Sequence, residues 1–181
     1  MSIETFVKPW SGHAVRHFPD TPGVKSPDIY DFRYCGASNE NRWNIAGERT
    51  LYLAKEKDVA LAENARHLRL NRTPGLAAQT FRRRVFRFQV KIAWVLDLCN
   101  PDVCDELSLT DAPNCFMNMS VARATAHFIR NTTQAQAIIV PSIAFPDKTE
   151  KWCLVLFLEK LPADPLKFLP QAKPDGTFQV T

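Results

Sequence analysis

Between Asn41 and Glu63 the chain sets an arginine on a turn, a tyrosine on a strand and a carboxylate on a helix, all within one short β-to-α unit. Asn41-Arg42-Trp43-Asn44 leads into a turn at Gly47, and Thr50-Leu51-Tyr52-Leu53-Ala54 then reads as a strand. Side chains alternate along a strand, so Leu51 and Leu53 share one face while Thr50, Tyr52 and Ala54 share the other. With the leucines in the core, Tyr52 addresses a second surface, read here as a cleft. From about Asp58 a helix opens with Val59-Ala60-Leu61-Ala62, apolar on nearly every side, as in helices buried on more than one face. Glu63 follows directly, where a charge is costly unless something pairs it or uses it.

The rest of the chain is read around this unit. Residues up to about Trp10 form a lead-in, and His13 to Phe18 a short strand carrying Arg16. Pro19 to Glu40, rich in Pro, Gly, Asp and Ser, is a loop or insertion. The helix ends in Asn71 to Thr80, at Pro74-Gly75. Val85 to Leu98 is a long strand in which Phe86, Phe88 and Val90 alternate with Arg87, Gln89 and Lys91. Asn100 to Pro113 is loop-like. A helix is predicted over Ser120 to Arg130, with Val121, Ala124, Phe128 and Thr125 as its apolar spacing. Ala137 to Val140 is a buried strand ending at Pro141-Ser142, and Cys153 to Glu159 is another. The organisation is one domain over 1–160 with a Pro-containing tail over 161–181. Strands outnumber helices without βαβα alternation, which favours an α+β domain over a doubly wound one.

Composition narrows the function classes. With 181 residues and 45% hydrophobic content the chain can bury a sizeable core without disulfides or metals. Cys35, Cys99, Cys104, Cys115 and Cys153 are odd in number and lack CxxC pairing, so they read as reduced thiols, and no metal is expected. Met1-Ser2-Ile3-Glu4 lacks a basic leader and no long apolar run follows, which gives the expectation of a cytoplasmic protein with no membrane contact. The stretch Phe81-Arg82-Arg83-Arg84-Val85-Phe86-Arg87-Phe88 combines basic and aromatic residues as nucleic-acid binders do. Its period of two is more simply a core face and a wet face, and a net charge of only +4 also argues against direct nucleic-acid binding. Neither GxGxxG nor a Walker loop is present, so a nucleotide here would be held mainly by side chains, a task that suits arginine.

Arg42-Trp43-Asn44, Gly47 and Leu51-Tyr52-Leu53-Ala54 resemble the central block of the RES-domain family, named for an arginine, a glutamate and a serine in separate blocks. Glu63 falls where the family has its glutamate, and Val140-Pro141-Ser142 resembles the late block, making Ser142 the serine. Arg16, in Ala14-Val15-Arg16-His17, resembles the early arginine, with Arg33 as a rival. The resemblance spans roughly Arg16 to Phe157. The chain departs from the pattern at Glu40-Asn41, where members commonly carry glycines, in a longer 19–38 segment, and at Lys151-Trp152-Cys153, which lacks a frequent Asn-Pro.

The resemblance implies a split, curved sheet with helices, similar to ADP-ribosyltransferases, and a toxin that degrades NAD. It implies no tightly bound cofactor, NAD as substrate and inorganic phosphate as candidate co-substrate. Its implied partner is an Xre-like helix-turn-helix antitoxin, and a homodimer is compatible with common symmetry. Cleaving the nicotinamide–ribose bond builds oxocarbenium-like charge, which a carboxylate beside the ribose stabilises. Glu63 is the candidate for that role; the alternative is a surface glutamate paired with Arg66 or His67. Arg42 and Arg16 are candidates to hold pyrophosphate or incoming phosphate, and Tyr52 to stack on nicotinamide and anchor it through its hydroxyl. Ser142 is a candidate to donate to ligand or to Glu63, while Trp43 packs to fix Arg42. Phosphorolysis and hydrolysis both remain open, as do transfer of ADP-ribose to a protein and a catalytically silent binding module.

Overall fold

The computed structural model describes residues 2–20, 23, 28–33, 35–36, 41–70 and 81–180, with side chains from 67–70, 81 and 180 left aside. The expectations at Glu40, at Pro74-Gly75 and for a His67 pair lie outside the described residues and side chains. Among the described residues there are six strands: β1 (Lys8–Pro19), β2 (Thr50–Ala54), β3 (Phe81–Asp97), β4 (Ala137–Pro141), β5 (Trp152–Phe157) and β6 (Gln171–Val180). Three α-helices accompany them: α1 (Lys57–Leu70), α2 (Pro101–Glu106) and α3 (Met119–Thr132). The result is an α+β domain.

The strand order is β1-β2-β5-β4-β3-β6, and β3 also pairs with β1 along nearly its whole length. Five strands therefore close into a ring, with β6 outside it on the other edge of β3. Closure is uneven. β2 pairs with β5 from Thr50↔Phe157 through Ala54↔Cys153, whereas β1 meets β2 at one pair, Val15↔Ala54. The ring is split at that seam.

Alternation along the strands fills two sides of the wall. Leu51, Leu53, Phe88, Val90, Ile139, Leu154 and Leu156 point into the ring. Ile138, Val140, Val155 and Phe157 point outward against α3 residues Ala122, Ala126 and Ile129. Strands buried on both faces read as continuous apolar runs, which is why β4 and β5 stand out in the sequence. At the seam, Val59 and Ala60 of α1 close over Val15, Ala54 and Val85.

Several expectations are corrected. β1 begins at Lys8, so the end of the lead-in, Lys8 to Trp10, is strand, preceded by a 3-10 turn at Ile3–Phe6. The 100–113 segment contains α2, capped by the Asn100 side chain accepting from the Asp102 amide, with Pro101 at its first position. Of the apolar face expected on α3, Thr125 is buried, but Phe128 is 49% exposed and Ala122, Ala126 and Ile129 take the inner positions. Alanine weighs little in a pattern read by hydrophobic bulk, although Ala122 and Ala126 are fully buried. The 161–181 segment carries β6, whose pairing with β3 shifts register between Arg84 and Phe86, opposite Pro174. A proline that donates no hydrogen bond is tolerated at such an edge-strand irregularity.

Candidate active site

A cavity of about 590 Å³ lies over the split seam. β1 contributes Val15, Arg16 and His17 to its wall, and β2 contributes Tyr52, Leu53 and Ala54. Ala60, Glu63, Asn64 and Arg66 come from α1, Arg42 and Trp43 from the turn before β2, and Pro141 and Ile143 from the end of β4. A weakly paired seam covered by one helix leaves room that a fully hydrogen-bonded strand pair would not.

Glu63 is held from behind. Its Oε1 accepts from the Ser142 hydroxyl at 2.6 Å and from the Ala144 amide at 3.2 Å. Ser142 is 1% exposed, and its own amide donates to the Lys151 carbonyl at 2.8 Å. The serine therefore donates to the glutamate, one of the two contacts expected for it. Both bonds fall on Oε1, so Oε2 makes no hydrogen bond to a described residue. The alternative of a surface Glu63–Arg66 pair is not what forms.

Arg42 is oriented without being neutralised. Its Nη1 donates to the carbonyls of Phe116 and Met117 at 2.7 and 3.0 Å, and no ion pair joins it to a described carboxylate. Burial lowers its hold on its proton, the Arg66 and Arg123 guanidiniums add to this, and Glu63 opposes it. Guanidinium stays charged through such shifts, so Arg42 keeps its positive charge on the cavity wall. Trp43 is buried and meets the Phe116 ring edge-on at 5.0 Å, packing the turn as expected.

Tyr52 is committed to the same turn. Its hydroxyl donates to Asn44 Oδ1 at 2.7 Å and accepts from the Trp43 amide at 3.2 Å, and burial pushes its pKa up. The ring lines the cavity while the hydroxyl braces the Arg42 loop. Gly47 turns that loop with φ +89°, and Glu48 clamps it from outside, accepting from the Ile45 amide and pairing with His127 at 2.7 Å. Arg130, buried over the Phe157 ring, donates to Glu159 and to the Thr50 hydroxyl.

Arg16 lies on the cavity wall, stacked between the Phe18 and Phe32 rings at 5.0 and 5.6 Å and donating to Cys35 Sγ at 3.3 Å. Arg33 lies elsewhere, 2.7 Å from Asp31 in a separate groove with Tyr30 and Phe168. The geometry brings together Glu63, Arg42, Arg16 and Tyr52, with Ser142 behind, and leaves Arg33 apart. Sequence reasoning missed Asn44, 0% exposed at the centre of the turn, and the wall residues Asn64 and Arg66. The Trp-Asn motif pointed at Asn44, but its neighbour Arg42 drew the functional reading.

Elsewhere, the basic stretch of β3 is tied to acidic partners. Arg82 and Arg84 pair with Asp20, and Arg87 pairs with Asp175. Among the described residues no group of three or more His, Cys, Asp or Glu side chains converges on one point, and no helix is long and apolar enough to cross a membrane.

The family model described as "RES domain" matches residues 21–180. No curated protein matches the chain. Among solved structures, a chain of the M. tuberculosis MbcT–MbcA toxin–antitoxin complex superposes with a TM-score of 0.63 at 17% identity, covering 99% of this chain and 90% of that one. At that identity the likeness concerns the fold.

Proposed function

The chain belongs to the RES-domain family, and from that premise we propose that it is a toxin of a toxin–antitoxin pair that consumes NAD by cleaving the nicotinamide–ribose bond. The observation that carries this reading is Glu63 fixed by Ser142 and Ala144, on a cavity wall whose Arg16 and Arg42 have no carboxylate partner among the described residues. A dinucleotide supplies two negative phosphates for the arginines and a ribose for the carboxylate.

In the reaction an oxygen of phosphate or water forms a bond to the anomeric carbon. The carbon–nitrogen bond breaks, and its electron pair passes to the pyridinium nitrogen, so neutral nicotinamide leaves. The products are ADP-ribose 1-phosphate or ADP-ribose, with the displaced proton released to solvent. Glu63 stabilises the positive charge that develops on the ribose. Arg42, oriented by two neutral carbonyls, keeps its full charge for phosphate oxygens. Ser142 holds Glu63 in place, and the Tyr52 ring gives the nicotinamide a flat wall. The fold is read as similar to ADP-ribosyltransferases. An Xre-like antitoxin that fills the cleft between the Arg42 turn and α1 is the proposed restraint.

Incubating purified protein with NAD, with and without phosphate, and resolving the products tests this. Free nicotinamide with ADP-ribose 1-phosphate identifies phosphorolysis, and nicotinamide with ADP-ribose identifies hydrolysis. ADP-ribose attached to protein would replace this reading with transfer. NAD left intact under every condition would leave a binding module.

A further inference from the structure

Asn64 follows Glu63 on α1 and has no part in the mechanism above. It lines the cavity, is only 8% exposed, and its Nδ2 is buried without a hydrogen-bond partner. A buried amide donor left unmet gives up its water and receives nothing in return, and native proteins keep few of them. Its neighbours on the wall show the same surplus. Arg16 Nη1 is likewise buried without a partner, and the Arg66 guanidinium lines the same wall. Both orphaned nitrogens are shut off from solvent, so each meets a ligand oxygen when its side chain turns toward the cavity.

Asn64 differs from the arginines in being neutral and in offering an acceptor as well as a donor. Phosphate oxygens ask only for donors, whereas a sugar hydroxyl both accepts and donates. The last torsion of an asparagine is broad and roughly two-fold, so the amide can turn either end to the cavity without moving the helix. Asn64 also adjoins Glu63, the group read as acting at the ribose. We propose that Asn64 is a further substrate-binding residue, hydrogen-bonding a hydroxyl of the ribose that carries nicotinamide. This inference rests on the NAD reading and deepens it.

A residue that keeps the fold and one that holds a ligand respond differently to an apolar replacement. Asn64→Leu, of similar size, and Asn64→Ala, which cannot block the cavity, are compared with the native chain by calorimetric titration of ADP-ribose and of ADP, and by thermal melting. The two ligands share adenosine and diphosphate, and only ADP-ribose carries the second ribose. In both variants ADP-ribose should bind about 3- to 10-fold more weakly, the worth of one net hydrogen bond. ADP binding should be unchanged, and melting should stay level or rise, because an unmet donor has been removed. Equal weakening of both ligands, no weakening of either, or lowered melting with unchanged discrimination would overturn the proposal. If the native chain binds both ligands and only the variants disappoint, Asn64 alone has been misread. If the native chain binds neither ligand and leaves NAD intact, the NAD reading fails and this proposal falls with it.

Discussion

Replacing Ser142 with alanine tests whether Glu63 works because it is held. The Ser142 hydroxyl donates to Glu63 Oε1 at 2.6 Å, and the Ala144 amide shares that oxygen at 3.2 Å. Hydrogen bonds to charged groups contribute about 1.5–3 kcal/mol. The longer bond survives the change, so the lower end applies, and about 1.5 kcal/mol of misplaced carboxylate corresponds to roughly a tenfold drop in turnover. Glu63 serves charge that develops at the ribose, so the loss should fall on kcat, with KM little changed. The assay is steady-state release of nicotinamide from NAD. A double-mutant cycle with Glu63→Gln completes it, because residues sharing one hydrogen bond should show non-additive effects. Native kcat in a folded Ser142→Ala variant, or additive losses in the cycle, would refute the argument that the serine acts through the glutamate.

Glu63→Ala should lower turnover about 10²- to 10³-fold with modest change in KM, whereas Arg42→Ala should raise KM as well, because it holds charge present before the reaction begins; steady-state kinetics separate the two. Gly47→Ala places a side chain at φ +89° and should cost about 1–2 kcal/mol, lowering the melting temperature by roughly 2–8 °C. Arg130→Ala removes a guanidinium 5% exposed and paired with Glu159. Its cost should be about 2–3 kcal/mol by denaturant melting, under the value for stranding a buried partner, because the Glu159 side chain is 42% exposed and can be hydrated.

The parts of this molecule that could be read from its sequence are those whose physics is local. Thr50–Ala54 alternates, the start of α1 is apolar all round, and Glu63 stands out because a charge sits amid that run. Phe88 and Val90 of β3 are buried as their alternation required. What could not be read depends on distant partners. The β1–β3 pairing that closes the ring joins residues far apart in sequence, so neither the start of β1 at Lys8 nor the pairing of β6 with β3 has a local signature. Most of the buried face of α3 beyond Thr125 was missed because buried alanines look like filler, while the exposed Phe128 looks like core. In the site, the charged and aromatic members were legible by chemistry. Asn44 and Asn64 were not, since an asparagine declares its role only through what surrounds it.

The seam between β1 and β2 sets the mechanical character of the cavity. A ring of paired strands is stiff, because displacing one strand shears the hydrogen bonds on both its edges. On the β5 side β2 is fixed along its whole length, whereas toward β1 one pair, Val15↔Ala54, bridges the gap. The slack of the frame is thus gathered at one joint, and the cavity sits on it. α1, resting across that joint through Val59 and Ala60, is placed like a latch. Glu63 pins that latch, because its carboxylate reaches across to Ser142 and Ala144 beyond β4, so the bonds that hold the glutamate also hold the helix over the open joint.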